Sequence, residues 1–508
     1  MRSQPSPEPT RRGVIGVDVG TSGVKVVLVD DAGLVLDYQE HPVSVAHPRP
    51  GMHEHDAEMA WWQVPAMLIG QLRARNAEVE VLAVGLSCCG PCIVPLGAGH
   101  ALRPGILYGV DTRAQQQIAE VSESTVAAGL VNRLSSQSIA PKLEWIRRHE
   151  PDVFAATDLV LTANSYLAFR LTGEAAIDQH QAAYFEPWWR DHAWDTTVAG
   201  AWAARLPRLL WGDEIVGIVR PAAAELTGLT PGIPVVLGSS DGLTDSLGAG
   251  AWQPGQGVVR YGSTLGVTVF APAASVVPGL WNTPGITEGT AVVVGGLSAA
   301  GSITTWFRER FAQELPQSDA GSIVAAHEVL TEEASNSPPG AHGLITLPYF
   351  SGERTPFYDP DARGVVLGLS LGHTRGDLYR SILEGTALGA RQLLEVMSTA
   401  EVLGDEPLRA VGGGTRRGLW TQILSDVTGL PQVIVEPAIG APLGAARLAA
   451  DAVGTVPLSA AAAADQGRQV IPDPSHRGIY DDLYASFGSL YGATRRFIRP
   501  NEEAPCVP

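Results

Sequence analysis

The chain has 508 residues, 45% hydrophobic and 17% charged, with a formal net charge of −18. That length predicts more than one domain, with apolar material for two buried cores. The acidic balance, spread along the chain, disfavours nucleic-acid and membrane-surface binding, and no run of 18 or more apolar residues marks a membrane span.

Residues 1–12 carry Pro, Ser and Arg without an apolar segment and read as a disordered tail rather than a signal peptide. Two β-branched runs then flank the turn Gly20-Thr21-Ser22-Gly23, forming a hairpin that reaches about Tyr38. The turn presents backbone N–H groups and two hydroxyls, an anion site, and Asp18 at the end of the first strand can hold a cation beside it. His53, Glu54, His55 and Asp56 are adjacent on a loop, so they read as cap and loop hydrogen-bonding residues rather than a metal cluster. Asp56 is the expected N-cap of a helix over 57–75. On that helix one of Trp61 and Trp62 is expected in the core and the other beside the substrate pocket.

A strand over 79–86 leads into Ser87-Cys88-Cys89-Gly90-Pro91-Cys92. No Cys or His pair at finger spacing accompanies these thiols, so they read as buried small residues rather than zinc ligands. The fourth cysteine, Cys506, lies in the tail, and Lys25 and Lys142 are the only lysines, a habit of composition. At 235–245 an apolar strand delivers Asp241 into a glycine-flanked turn followed by a helix. A carboxylate there suits a general base; the competing readings are a helix N-cap and Asp245, one turn further on, as the working carboxylate.

Glycine and hydroxyls recur between two β runs at Gly262-Ser263-Thr264, and Gly412-Gly413-Gly414 precedes a helical pattern with Leu419, Ile423, Leu424 and Val427. Two phosphate turns suit a nucleoside triphosphate, and side-chain-free backbone lets a flat ring or phosphate come close. No P-loop or dinucleotide fingerprint occurs.

Together these segments resemble the FGGY family of carbohydrate kinases, within the actin/hexokinase/heat-shock-70 ATPase superfamily, and most of all its xylulokinase members. The segment 364–384 is similar to the family's C-terminal signature along its full length, and 348–356 is also family-like. Pro141-Lys142-Leu-Glu-Trp145-Ile matches the N-terminal signature more loosely, with Gln137 and Ile139 departing from it. The resemblance implies an α/β chain of two actin/hexokinase-like (ribonuclease H-like) domains, 13–250 and 251–498, around a central ATP and sugar cleft, with a tail at 499–508. It implies Mg²⁺ at Asp18 and ATP held by Gly20, Thr21, Ser22, Lys25, Gly262, Ser263, Thr264, Gly413, Gly414 and Arg417. It implies Asp241 as catalytic base, and Gly90, Pro91, Tyr108, Asp241 and Gly242 against the sugar. The xylulose-directed members resemble Gly-Gln-Met-His-Gly where this chain has Cys88 to Cys92, and Gly242 stands where Asn is frequent. The expected activity is ATP-dependent phosphorylation of a small sugar, D-xylulose to D-xylulose 5-phosphate, in xylose use. The alternatives are ribulose, erythritol or gluconate as substrate, or a non-catalytic nucleotide-binding protein. A cytoplasmic location and a homodimer, the assembly that family members often form, complete the expectation.

Overall fold

The structure is a computed structural model describing residues 11–124, 129–315, 320–435, 439–459 and 467–495. Two compact units divide the chain. Unit 1 comprises Met1–Trp252, Thr283–Ala291 and Ile439–Asp465; unit 2 comprises Gln253–Asn282, Val292–Ala438 and Gln466–Pro508.

Unit 1 is built on β1 (Arg12–Val19), β2 (Gly23–Asp30), β3 (Val35–Pro42), β4 (Glu80–Cys88), β5 (Ile215–Ile218) and β6 (Pro234–Ser240). They form one sheet in the order β5-β6-β4-β1-β2-β3. β1 and β2 are antiparallel, and β4 runs parallel to both β1 and β6. The Val and Ile runs of β1 and β2 are buried almost throughout, the environment that favours β-branched residues. Register places Asp18 opposite Lys25 on one side and Ser87 on the other, with Ser87 opposite Ser239. This row lies near the carboxyl ends of the parallel strands, where ligands bind in open α/β sheets. β4 continues through Ser87 and Cys88, two residues past the expected strand end, because Cys88 pairs with Val19 in the ladder.

The helix Ala441–Ala452 lies on this sheet at very close range. A Cβ at Gly16 would sit 1.9 Å from the Pro442 carbonyl, and one at Gly85 would sit 1.9 Å from that of Ala445. Two glycines on adjacent strands thus set the depth at which the helix seats. Asp56 caps the expected helix, its Oδ1 accepting from the Met59 amide at 3.0 Å. After Ala57 and Glu58 that helix passes through a π turn, Met59–Gln63, before α1 (Val64–Arg75). Trp61 and Trp62 are both buried, so both belong to the core rather than one to a pocket.

Unit 2 carries β7 (Gly257–Tyr261), β8 (Leu265–Pro272), β9 (Trp281–Pro284), β10 (Thr290–Leu297), β11 (Leu408–Val411), β12 (Gln432–Ile434) and β13 (Arg468–Val470). Their order is β9-β10-β8-β7-β11-β12-β13. The pattern of unit 1 recurs: an antiparallel hairpin whose first strand pairs in parallel with a later strand, itself parallel to a further one. The longest helix, Arg375–Thr399, starts at a capping box in which Thr374 and Asp377 satisfy each other's backbone amides. Among the described residues no helix is long and apolar enough to cross a membrane.

Candidate functional site

In unit 1, Asp18 is the penultimate residue of β1 and its side chain is buried. Ser87 Oγ donates to Asp18 Oδ1 at 2.8 Å, and Thr244 Oγ1 lies 2.7 Å from Ser87 Oγ. Burial pushes the Asp18 carboxyl up to about 6; the Ser87 hydrogen bond and Lys25 work against it, and Asp245 adds to it. A buried carboxylate short of positive charge fits a cation partner. Thr244 and Asp245 belong to α2 (Asp241–Gly248), which starts where β6 ends. Asp241 is its first residue, with Ser240 in the cap position, so Asp241 is not the cap itself. Asp241 Oδ1 accepts from the Gly242 amide at 2.7 Å. A Cβ at Gly242 would meet nothing within 4 Å, so this glycine borders open space.

The turn at Gly20, Thr21 and Ser22 is closed by the Gly20 amide donating to the Gly23 carbonyl at 2.9 Å. His55, read from the sequence as a loop hydrogen-bonding residue, and Trp61, read as a core or pocket residue, together brace it. Trp61 Nε1 donates to His55 Nδ1 at 3.0 Å, and His55 Nε2 lies 3.0 Å from the Thr21 carbonyl. Indole nitrogen only donates, so His55 accepts at Nδ1 and carries its proton on Nε2, which donates to Thr21. Burial lowers the pKa of His55, keeping that neutral form. Thr21 Oγ1 also lies 3.4 Å from the Tyr108 hydroxyl, joining the turn to the 104–113 loop. Lys142 holds that loop from beneath: its Nζ donates to the carbonyls of Leu107 and Tyr108, both at 2.8 Å. Asp241 lies within electrostatic reach of Tyr108 and Cys89.

The Cys88–Cys92 segment is walled by a buried polar network. Gln181 Nε2 donates to Asn164 Oδ1 and Asp178 Oδ2, and Ser239 Oγ donates to Asp178 Oδ1, each at 2.7 Å. Ser240 Oγ lies 2.9 Å from His180 Nε2. A Cβ at Gly90 would approach Gln181 Oε1 to 2.9 Å and Ser240 Cβ to 3.1 Å, so only glycine leaves this wall undisturbed. Nothing in the sequence spacing marks the network, because its members come from separate elements. Among the described residues no group of three or more His, Cys, Asp or Glu side chains is placed to hold a metal ion; Cys88, Cys89 and Cys92 are fully buried. Glu54 instead pairs with Arg103 and Arg113.

Unit 2 holds a cavity of about 280 Å³. Gly262, Ser263, Gly413, Gly414 and Arg417 line it together; Thr264 is not among the lining residues, although its carbonyl accepts from the Gly262 amide at 3.0 Å. The Ser302 and Ala300 amides, at the start of the helix Gly301–Phe311, donate to the Ser263 carbonyl and tie this turn down. Tyr261 and Trp420 meet edge to face with ring centroids 5.2 Å apart, beneath the triple glycine. A Cβ at Gly414 would come within 2.8 Å of the Trp420 ring. His327, Thr331 and Tyr379 are also in the wall; His327 and Thr331 gave no sequence signal, and Tyr379 stood only as part of the 364–384 signature. His327 is lowered to about 4 by burial, then by Arg417 and Arg308, and stays neutral.

A family model described as "FGGY family of carbohydrate kinases, N-terminal domain" matches residues 13–248, and the corresponding C-terminal domain matches 257–453. The chain is 32% identical over 464 residues to a xylulose kinase of Escherichia coli, covering 86% of this chain and 89% of that one. It is 28% identical over 514 residues to an autoinducer-2 kinase of Klebsiella pneumoniae, covering 94% and 93%. Among solved structures, xylulose kinase from Rhodospirillum rubrum superposes with a TM-score of 0.86 at 31% identity, covering 96% of this chain and all of that one.

Proposed function

The chain belongs to the FGGY family of carbohydrate kinases and is a sugar kinase, and from that premise we propose that it transfers the γ-phosphoryl group of ATP to D-xylulose, forming D-xylulose 5-phosphate. The observation that carries the choice of sugar is the 32% identity to a xylulose kinase across most of both chains. In this reading Asp241 accepts the proton of the attacking hydroxyl. A sugar hydroxyl is a poor nucleophile at neutral pH, and the rest of the acceleration comes from positioning and charge neutralisation. Thr21 and Ser22 grip the γ-phosphate, with Gly20 and Lys25 beside them. Ser263 and Thr264 meet the β- or γ-phosphate from the Gly262 turn, and Gly413, Gly414 and Arg417 border adenine and ribose. Asp18 would hold Mg²⁺ through water, where the ion supplies charge neutralisation of the phosphates. Gly90, Pro91, Tyr108 and Gly242 border the sugar.

Two features favour a second reading, a kinase of another ketose, polyol or sugar acid: the Cys88–Cys92 loop lacks the Met-His pair of the Gly-Gln-Met-His-Gly stretch seen in xylulose-directed members, and Gly242, where Asn is frequent, borders open space. The deciding experiment is ADP release with Mg-ATP across D-xylulose, ribulose, erythritol and gluconate. D-xylulose is expected to give the highest kcat/KM, and Asp241→Ala to lose about 10²- to 10⁴-fold of it. Preference for another compound transfers the assignment to that substrate. Turnover undiminished in Asp241→Ala removes the base role.

A further inference from the structure

The mechanism leaves three buried thiols unused, and two of them are placed as a pair. Cys89 and Cys92 bracket Gly90 and Pro91 in a Cys-x-x-Cys spacing used by redox-active dithiols. Their Sγ atoms lie 3.6 Å apart, in contact and fully buried. A disulfide bond is about 2.05 Å long, so closing one draws the two sulfurs together by roughly 1.5 Å. The third thiol is engaged elsewhere, Cys88 Sγ donating to Asn164 Oδ1 at 3.4 Å. The pair is also tied to the candidate site. The Cys89 amide donates to the Val19 carbonyl at 2.8 Å, next to Asp18. Tyr108 lies within electrostatic reach of both thiols, and Asp18 and Asp241 lie within reach of Cys89.

We propose that Cys89 and Cys92 form a reversible intramolecular disulfide that contracts the Gly90–Pro91 loop and switches the enzyme down. The functional half of this rests on the reading of Gly90 and Pro91 as sugar-pocket residues. The oxidant is a low-molecular-weight disulfide. One cysteine thiolate attacks it, forming a mixed disulfide and releasing one thiol. The second cysteine then attacks the protein sulfur of that mixed disulfide and releases the other thiol. Two protein S–H bonds and one small S–S bond are exchanged for one protein S–S bond and two small thiols. The contact with Cys92, burial and the nearby carboxylates hold the Cys89 thiol well above its usual range. The resting pair is therefore unreactive, and exchange proceeds when the loop opens. A bound sugar covering the loop slows it.

The test is to incubate the reduced full-length chain with 2-hydroxyethyl disulfide at mildly alkaline pH, cap free thiols and map peptides by mass. A Cys89–Cys92 cross-link lighter by two hydrogens is expected. With it, kcat/KM for the sugar should fall about 10- to 100-fold, as for a misplacement of about 1 Å at a reacting centre. Dithiothreitol should restore it. Cys89→Ser and Cys92→Ala, checked for folding by circular dichroism, should each resist the treatment. Absence of the cross-link under conditions that oxidise the denatured chain overturns the proposal. So does a cross-link with unchanged turnover, or inactivation that persists in both folded variants. The cross-link is mapped without substrate, so failure of every sugar in the panel counts against the functional reading and not against the disulfide. In that case amide exchange over 87–92, expected to change on oxidation, decides the loop's part, and unchanged exchange overturns it.

Discussion

Lys142 is one of two lysines in the chain, and its ammonium is wholly buried against two backbone carbonyls. Burial brings its pKa down to about 8, although Asp111 works the other way. The unfolded chain keeps the ordinary lysine value of about 10.4. Between about pH 8 and 10.4 the unfolded state therefore binds more protons than the folded one, and stability rises with pH across that window. The charged lysine costs on the order of 3 kcal/mol below it. Urea unfolding of the unsubstituted chain against Lys142→Met should show this rise in the first and its loss in the second. An equal pH dependence in both would remove the burial account. The sequence places this lysine in the loose signature match at 141–146 but not in its anchoring role, because the groups it holds, the carbonyls of Leu107 and Tyr108, have no side-chain signature. His55 was legible as a loop hydrogen-bonding residue, but its tautomer needed the indole of Trp61 on Nδ1.

At the scale of elements, the hairpin β1–β2 and the turn between β7 and β8 were readable because β-branched runs around glycine and hydroxyl residues have few alternatives. The seating of the helix Ala441–Ala452 on β1 and β4 was not. It depends on Gly16 and Gly85 meeting carbonyls more than 350 residues further along the chain. Gly85→Ala places a methyl 1.9 Å from the Ala445 carbonyl, and overpacking of this kind costs about 1–3 kcal/mol. A lowered urea midpoint in that variant is the expected outcome, and an unchanged midpoint would show that the helix shifts freely. Since β1 carries Asp18 as its penultimate residue, kcat should fall along with stability.

For the molecule as a whole, each unit repeats one sheet pattern with its own candidate ligand residues. Hydrogen exchange should separate their roles. Mg-ADP is expected to slow amides at 261–264 and 412–417, and D-xylulose those at 87–92 and 105–111. Protection by the sugar confined to unit 2 would reverse the division of labour. The family, the α/β class and the two glycine-and-hydroxyl turns were legible in the sequence alone, because short segments with strict steric demands carry them. The tertiary structure alone decided the Ser87–Thr244 link to Asp18, the His55–Trp61 brace, the polar wall behind Gly90 and the cavity faces of His327 and Tyr379. Those are contacts between side chains distant along the chain, set by how the elements pack, and local spacing does not encode them.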